Sequence, residues 1–304
     1  MSRAETATGE SAALIPKEVL RRVRELELRT RRAVKDILAG QYSSVFKGRG
    51  IEFSEVRAYE PGDDVRTIDW NVTARFGHPF VKRFVEEREL TVILALDCSG
   101  SGRFGSSQAL KSERAAEAAA LIAAAAIRNN DKVGLVLFTD RVEKYIRPQK
   151  GRRHVLRVIR EALFASPSGT RTRIESALQH VSRVVRRRAI VFLISDFLDS
   201  GYERSLAAVA RRHDLVAVSI TDPRELELPR SGLVELEDAE TGARLLLDTS
   251  SARVRREYSA AARRRAEERR ALFRRSGVDE IELSTSRPAL GGLLEFFRAR
   301  EGRR

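Results

Sequence analysis

The chain has 304 residues, is 42% hydrophobic and 33% charged, and carries a formal net charge of +14. Its single cysteine excludes an internal disulfide and fits a reducing compartment. No apolar stretch is long enough to cross a bilayer, and the polar opening Met1–Ser11 does not read as a signal peptide, so a cytoplasmic location is expected. The positive charge would attract nucleic acid, anionic lipid or an acidic protein surface. It is mostly arginine, with lysine at only eight positions, which equally suits solvated helix faces.

Residues 2–11 read as disordered, and 16–38 as a helix with Val19, Val23, Leu26, Ala33 and Ile37 on one face and Gly40 as its stop. From Gly48 to Glu89, short aromatic and β-branched stretches alternate with Gly, Pro and Asp, which predicts a small antiparallel β unit with Trp70 as its core anchor. The dense charges from Glu52 to Asp69 suit an ion-pair network or a partner-facing surface. From Leu90 the pattern is alternating strand and helix. Strands are predicted at 91–96, 133–138, 189–194 and 215–220, and helices at 109–128, 152–165, 173–187 and 202–213. Each strand is a continuous apolar run, as a parallel sheet covered on both faces requires. Beyond Pro223, two short strands flank Glu240-Thr241-Gly242 as a hairpin. An Arg-rich helix at 251–276, a short strand at 281–283 and a helix at 288–300 follow. The expected division is a disordered N-terminus and helix (1–40), a β-rich unit (41–89), an α/β domain (90–225) and a hairpin with C-terminal helices (226–304).

The most informative residues are Asp97-Cys98-Ser99-Gly100-Ser101, which follow the buried-strand pattern Leu90–Leu96. The strand delivers one carboxylate and two hydroxyls to its carboxyl end, where open α/β sheets bind ligands. Hard oxygen donors crowded on one turn suit Mg²⁺ or Mn²⁺. Two other segments can contribute: Ser195-Asp196, which ends a second buried strand, and the loop Ser168-Gly169-Thr170-Arg171-Thr172, which precedes a helix. Cys98, between the donors, is expected to face the core as a small hydrophobe. His78, His154, His180 and His213 show no metal-ligand spacing.

These residues resemble the metal-ion-dependent adhesion site of von Willebrand factor A domains. The resemblance implies a Rossmann-type α/β fold, with a mostly parallel sheet and helices on both faces, beside the small β unit and helical termini. It implies metal ligands at Asp97, Ser99, Ser101, Thr172 and Asp196, with a partner's carboxylate at the sixth position. Ala177-Leu178 selects Thr172 by the family spacing, and Thr170, next to Gly169, is the alternative. A second block runs from Gly48-Arg49-Gly50 through Tyr59-Glu60-Pro61-Gly62-Asp63-Asp64 to Ile68-Asp69-Trp70-Asn71 and Ala74-Arg75. It is similar to the signature of a bacterial family catalogued as domain of unknown function 58, whose members carry a von Willebrand A-like domain after this block. That resemblance implies an adaptor or co-chaperone role beside a MoxR-type AAA+ ATPase.

Two other functions compete with this expectation of a non-catalytic module. A strand-end aspartate such as Asp97 can be a phosphoryl nucleophile in a metal-dependent phosphatase. Against it, Ser99 occupies the position where a second aspartate would act as general acid, and the chain has neither a nucleophile elbow nor a phosphate-binding loop. The Arg-rich helix 251–276 carries ten Arg and three Glu and could bind nucleic acid, but no recognised nucleic-acid motif accompanies it.

Overall fold

The computed structural model describes residues 38–47, 56–63, 65, 68, 70–82 and 89–303. The expected disordered segment 2–11, nearly all of the expected helix 16–38, and much of the charged block from Glu52 to Asp69 lie outside the described residues.

Six strands form one sheet: β3 (Thr91–Asp97), β4 (Lys132–Phe138), β5 (Val142–Gln149), β6 (Ile190–Ser195), β7 (Asp214–Thr221) and β10 (Asp279–Ser284). Their order across the sheet is β10-β7-β6-β3-β4-β5. All neighbours are parallel except β5, which runs antiparallel to β4 at one edge with two register shifts. This is the doubly wound order with a reversal between β3 and β6, so the expected α/β fold with a mostly parallel sheet is the one observed. The four predicted strands of the series are present, each within a residue or two of its expected bounds.

Side-chain alternation divides the core in two. Val92, Leu94, Leu96, Phe192 and Ile194 face one side with α1 (Ala39–Lys47), α3 (Lys111–Arg128), α4 (Arg152–Leu163) and α9 (Ala289–Glu301). Ile93, Ala95, Val191, Leu193 and Ala217 face the other, with α5 (Ile174–Val184), α6 (Glu203–Arg212) and the C-terminal end of α8 (Ala252–Ser276). The alanine-rich α3 is buried on nearly all sides, because small side chains let it approach both the sheet and its neighbouring helices. Among the described residues, no helix is long and apolar enough to cross a membrane.

Several local expectations change. Gly40 does not stop a helix: α1 runs through it, held by Tyr42 against Phe46 and Phe297 with ring centroids 5.0 and 6.2 Å apart. Trp70 is 70% exposed. It is the first residue of a seven-residue helix, α2 (Trp70–Phe76), where a strand-and-turn core was expected, and it faces solvent instead. The small unit is the antiparallel pair β1 (Val56–Ala58) and β2 (Phe80–Lys82). At its turn, Arg57 pairs with Asp63 at 2.6 Å and Glu60 at 3.5 Å, so these members of the charged block form a local, solvent-accessible ion-pair cluster. On α8, Ala262, Leu272 and Phe273 are the buried residues. Arg269 and Arg270 of that helix pair with Glu280 and Glu282 of β10 at 2.8 and 2.6 Å.

Strand β10 pairs with β7 in the main sheet, so the segment beyond the expected boundary at 225 shares the same core. Asp222 ties these parts together. It caps α7 (Pro223–Leu226) by accepting from the Arg224 amide, and it also accepts from the Ser106 amide and hydroxyl and the Thr285 hydroxyl. Burial works to raise its pKa, but these hydrogen bonds outweigh burial and hold the carboxyl below its ordinary value. Asp222→Ala should lower unfolding free energy by about 1–3 kcal/mol in urea denaturation, since the buried Thr285 hydroxyl and the part-buried Ser106 and Arg224 donors lose their acceptor. A depressed carboxyl stabilises above its unfolded pKa, so the difference between wild type and Asp222→Asn should shrink as pH falls below about 4.

Candidate metal site at the sheet switch point

The site forms where β3 and β6 end side by side. Their parallel register runs to Leu96 opposite Ile194, so Asp97 and Asp196 leave adjacent strand ends. This is the crevice at which an open α/β sheet receives ligands. A cleft of about 750 Å³ opens beside Asp97 and Ser99, between the start of α3 and the end of α4 with the segment 165–167 that follows it.

Asp97 is fixed by two donors. Its Oδ1 accepts from the Ser99 amide at 2.9 Å and its Oδ2 from the Ser195 hydroxyl at 2.6 Å. Burial and the negative charge of Asp196 nevertheless push its carboxyl up to about 7. Among the described residues no salt bridge reaches Asp97, so the site is short of positive charge there. Ser99 is buried and its Oγ lies 3.0 Å from Ser101 Oγ. Two oxygens on neighbouring vertices of an octahedron with bonds of ~2.1 Å are about 3 Å apart, so this pair already matches one edge of a Mg²⁺ shell.

Asp196 has a different environment. Its Oδ2 meets Lys111 Nζ at 2.6 Å, and the same ammonium meets Glu225 Oε1 at 2.5 Å. Lys111 is only 3% exposed. Burial opposes its charge, but Asp196 and Glu225 more than compensate and raise its pKa above the ordinary lysine value. Asp196 Oδ1 accepts from the Leu198 amide at 3.2 Å. The next residue, Phe197, holds a left-handed φ of 58°, which costs a non-glycine residue about 1–2 kcal/mol. Its ring is locked against Phe273 with centroids 5.0 Å apart, and this packing sustains the turn.

The threonine loop is braced from β5. Glu143 accepts from the Thr139 hydroxyl, the Ser168 amide and hydroxyl and the Gly169 amide, bonds that outweigh its desolvation and lower its pKa to about 2. Gly169 is required at its position: a Cβ there would lie 2.4 Å from Thr139 Oγ1 and 2.5 Å from Asp140 Oδ1. Thr170 accepts the Gly100 amide at 2.7 Å through its backbone oxygen, and its side chain is exposed. Thr172, in contrast, is half-buried, and its hydroxyl donates to Glu240 Oε1 at 2.5 Å. Glu240 lies at the tip of the hairpin formed by β8 (Leu233–Glu237) and β9 (Arg244–Asp248).

The structure therefore places Asp97, Ser99, Ser101 and Asp196 at one strand-end junction, with the 168–172 loop hydrogen-bonded to it through Gly100. Among the described residues there is no cluster of three or more His, Cys, Asp or Glu side chains able to hold a metal. Any cation here depends on hydroxyls, and the donor set, hard oxygens with two carboxylates, fits Mg²⁺ or Mn²⁺. Cys98 packs against the core, and burial together with Asp97 and Glu143 pushes its thiol up to about 12, which suits a hydrophobe and not a nucleophile. Four contributors were missed from sequence: Lys111, Glu225, Glu143 and Glu240. Each reaches the site or its supports from a distant segment, and of the four only Glu225 sits in a local pattern, the capping box Asp222–Glu225 at the start of α7.

A family model described as a protein of unknown function, DUF58, matches residues 55–268. An uncharacterized protein of Mycobacterium tuberculosis (Rv1480) is 34% identical over 282 residues, covering 91% of this chain and 88% of its own length. Among solved structures, the conserved hypothetical protein BatB of Bacteroides thetaiotaomicron aligns with a TM-score of 0.45 and 16% identity, over 69% of this chain and 98% of that one. An aerotolerance-related membrane protein of Bacteroides fragilis aligns with a TM-score of 0.45 and 14% identity, over 71% and 100% of the two chains.

Lys111→Met should cost about 3–5 kcal/mol of stability, because Asp196 and Glu225 then remain without their shared ammonium. Adding Asp196→Asn to that variant should recover part of the loss in the same urea titration. A purely additive double variant would show that the ammonium is not what reconciles the two carboxylates.

Proposed function

We propose that this chain, which belongs to the DUF58 family, is a metal-dependent protein-binding module. In this reading Asp97, Ser99, Ser101, Thr172 and Asp196 hold Mg²⁺ or Mn²⁺, and an acidic residue of a partner completes the shell. The observation that carries it is the 3.0 Å hydroxyl pair of Ser99 and Ser101 beside a carboxylate that no salt bridge reaches among the described residues, at the switch point of the sheet. Ligands that are mostly neutral would leave a bound cation electron-poor and receptive to an outside carboxylate. The bound metal would supply that attraction, while the protein's residues fix the donors and orient them.

The partner class follows from family resemblance: an adaptor or co-chaperone role with a MoxR-type AAA+ ATPase, which would itself supply any ATP hydrolysis. A non-catalytic role is supported by the raised Cys98 thiol and by Ser99 standing where a phosphatase would need a general acid. Arg269 and Arg270, engaged with β10, weaken the case for nucleic acid on α8.

Calorimetric titration of the purified chain with Mn²⁺ should show one site, and Asp97→Ala should abolish it with the fold intact by circular dichroism. Saturable binding that Asp97→Ala leaves unchanged would remove the site from consideration. Metal-dependent phosphatase turnover lost in Asp97→Asn would replace the binding role with a catalytic one.

A further inference from the structure

Asp196 leaves the carboxyl end of β6, and the amino end of the same strand has a different character. Six exposed arginines meet there. Arg183 lies in the last turn of α5, Arg186-Arg187-Arg188 lead into β6, and Arg211 and Arg212 close α6. Strands β6 and β7 pair from Ile190 opposite Asp214, so the segments that precede them run side by side. Arg212 ties the two together: its guanidinium donates to the Ser182 carbonyl at 3.1 Å and to the Arg186 carbonyl at 2.7 Å. It braces the loop and leaves the other five arginines at the surface.

Little negative charge answers them. The acidic residues of α5 and α6, Glu175 and Glu203, sit in the first turns, at the far ends of their helices. Asp214, the first residue of β7, is already held by Arg300 at 2.8 Å. Among the described residues no ion pair reaches Arg183, Arg186, Arg187, Arg188 or Arg211. Two helix C-termini contribute about half a negative charge each, against six guanidinium groups. The field extends inward to His213, which is 2% exposed and has no hydrogen-bond partner on either ring nitrogen. Burial, then the charges of Arg212 and Arg188, hold its imidazole below the ordinary value.

We propose that this arginine end is a second binding surface, which holds a nucleic acid by its phosphate backbone. Guanidinium groups are planar forks that pair with phosphate oxygens two at a time. The segments that carry these arginines hold none of the exposed large apolar side chains of the described residues. Attachment to a bilayer surface draws on buried apolar groups as well as charge, and a protein interface draws its energy from an apolar or aromatic centre. A phosphate backbone needs neither, because release of its counterions supplies the affinity. Contacts of this kind position a strand without reading its bases. The six residues of β6 span about 20 Å, so this surface and the metal site can be occupied together.

The test uses the full chain and a fluorescent DNA duplex of about 20 base pairs, followed by anisotropy over a range of NaCl. Wild type should bind, with log K falling by about 0.9 per phosphate contact for each tenfold rise in salt. Arg186→Ala, Arg187→Ala and Arg188→Ala together should weaken binding by about tenfold or more at low salt and flatten that slope by about 2–3, with the circular dichroism spectrum unchanged. The charge-matched triple Arg263→Ala, Arg264→Ala and Arg265→Ala on α8 should keep most of the slope. Equal losses in the two triples would reduce the effect to net charge and overturn the surface. A wild type that ignores the duplex would also overturn it, and binding of phosphatidylserine vesicles or polyglutamate lost in the 186–188 triple would then assign these arginines to a lipid or an acidic protein. Asp97→Ala should bind the duplex as wild type does, which keeps this outcome separate from that of the metal site.

Discussion

Parallel pairing of β3 with β6 brings Asp97 and Asp196 out at neighbouring strand ends, and two carboxylates so placed repel. Much of the surrounding structure answers that repulsion. Lys111 is drawn out of water to sit between Asp196 and Glu225, a position that burial alone would forbid to an ammonium. Ser195 and the Ser99 amide donate to Asp97, yet its carboxyl stays well above its usual pKa. The two aspartates are therefore unequal: among the described residues, Asp196 has an ammonium beside it and Asp97 is reached by no salt bridge.

Most of the fold was legible in the sequence because strands buried on both faces must be apolar throughout, and β3, β4, β6 and β7 read that way. Strand β5 was not read. It lies at the sheet edge, and its sequence Val-Glu-Lys-Tyr-Ile-Arg-Pro-Gln alternates with charges and contains Pro148, which an edge tolerates and a centre does not. Trp70 misled for a related reason: aromatic residues between turn signals suggest a strand core, whereas the chain takes a short helix that points the ring outward. At the site, the local pentapeptide and the second strand-end aspartate were visible because strand-end position is a sequence property.

The remainder of the site was invisible because it is assembled across the topology. Lys111 lies 85 residues from Asp196, and Glu240 lies 68 residues from Thr172. In sequence, Lys111 is an ordinary helix-start lysine and Glu240 an ordinary hairpin-turn residue. Gly100 and Gly169 offered a weak hint. Each stands where another backbone or side chain approaches too closely for a Cβ, and such glycines record a contact without naming the contacting residue.

Asp222 gives the molecule a mechanical property beyond its contribution to stability. The hydroxyl and amide of Ser106, a few residues after the serine turn, and the hydroxyl of Thr285, shortly before α9, share this one carboxylate. Arg114 of α3 holds the Thr285 carbonyl from the opposite direction. The last helix and the rim of the site are thus moored to a common post. A shift of the last helix would therefore reach the serine turn through a handful of hydrogen bonds as well as through the close-packed core that buries Leu293 and Phe297.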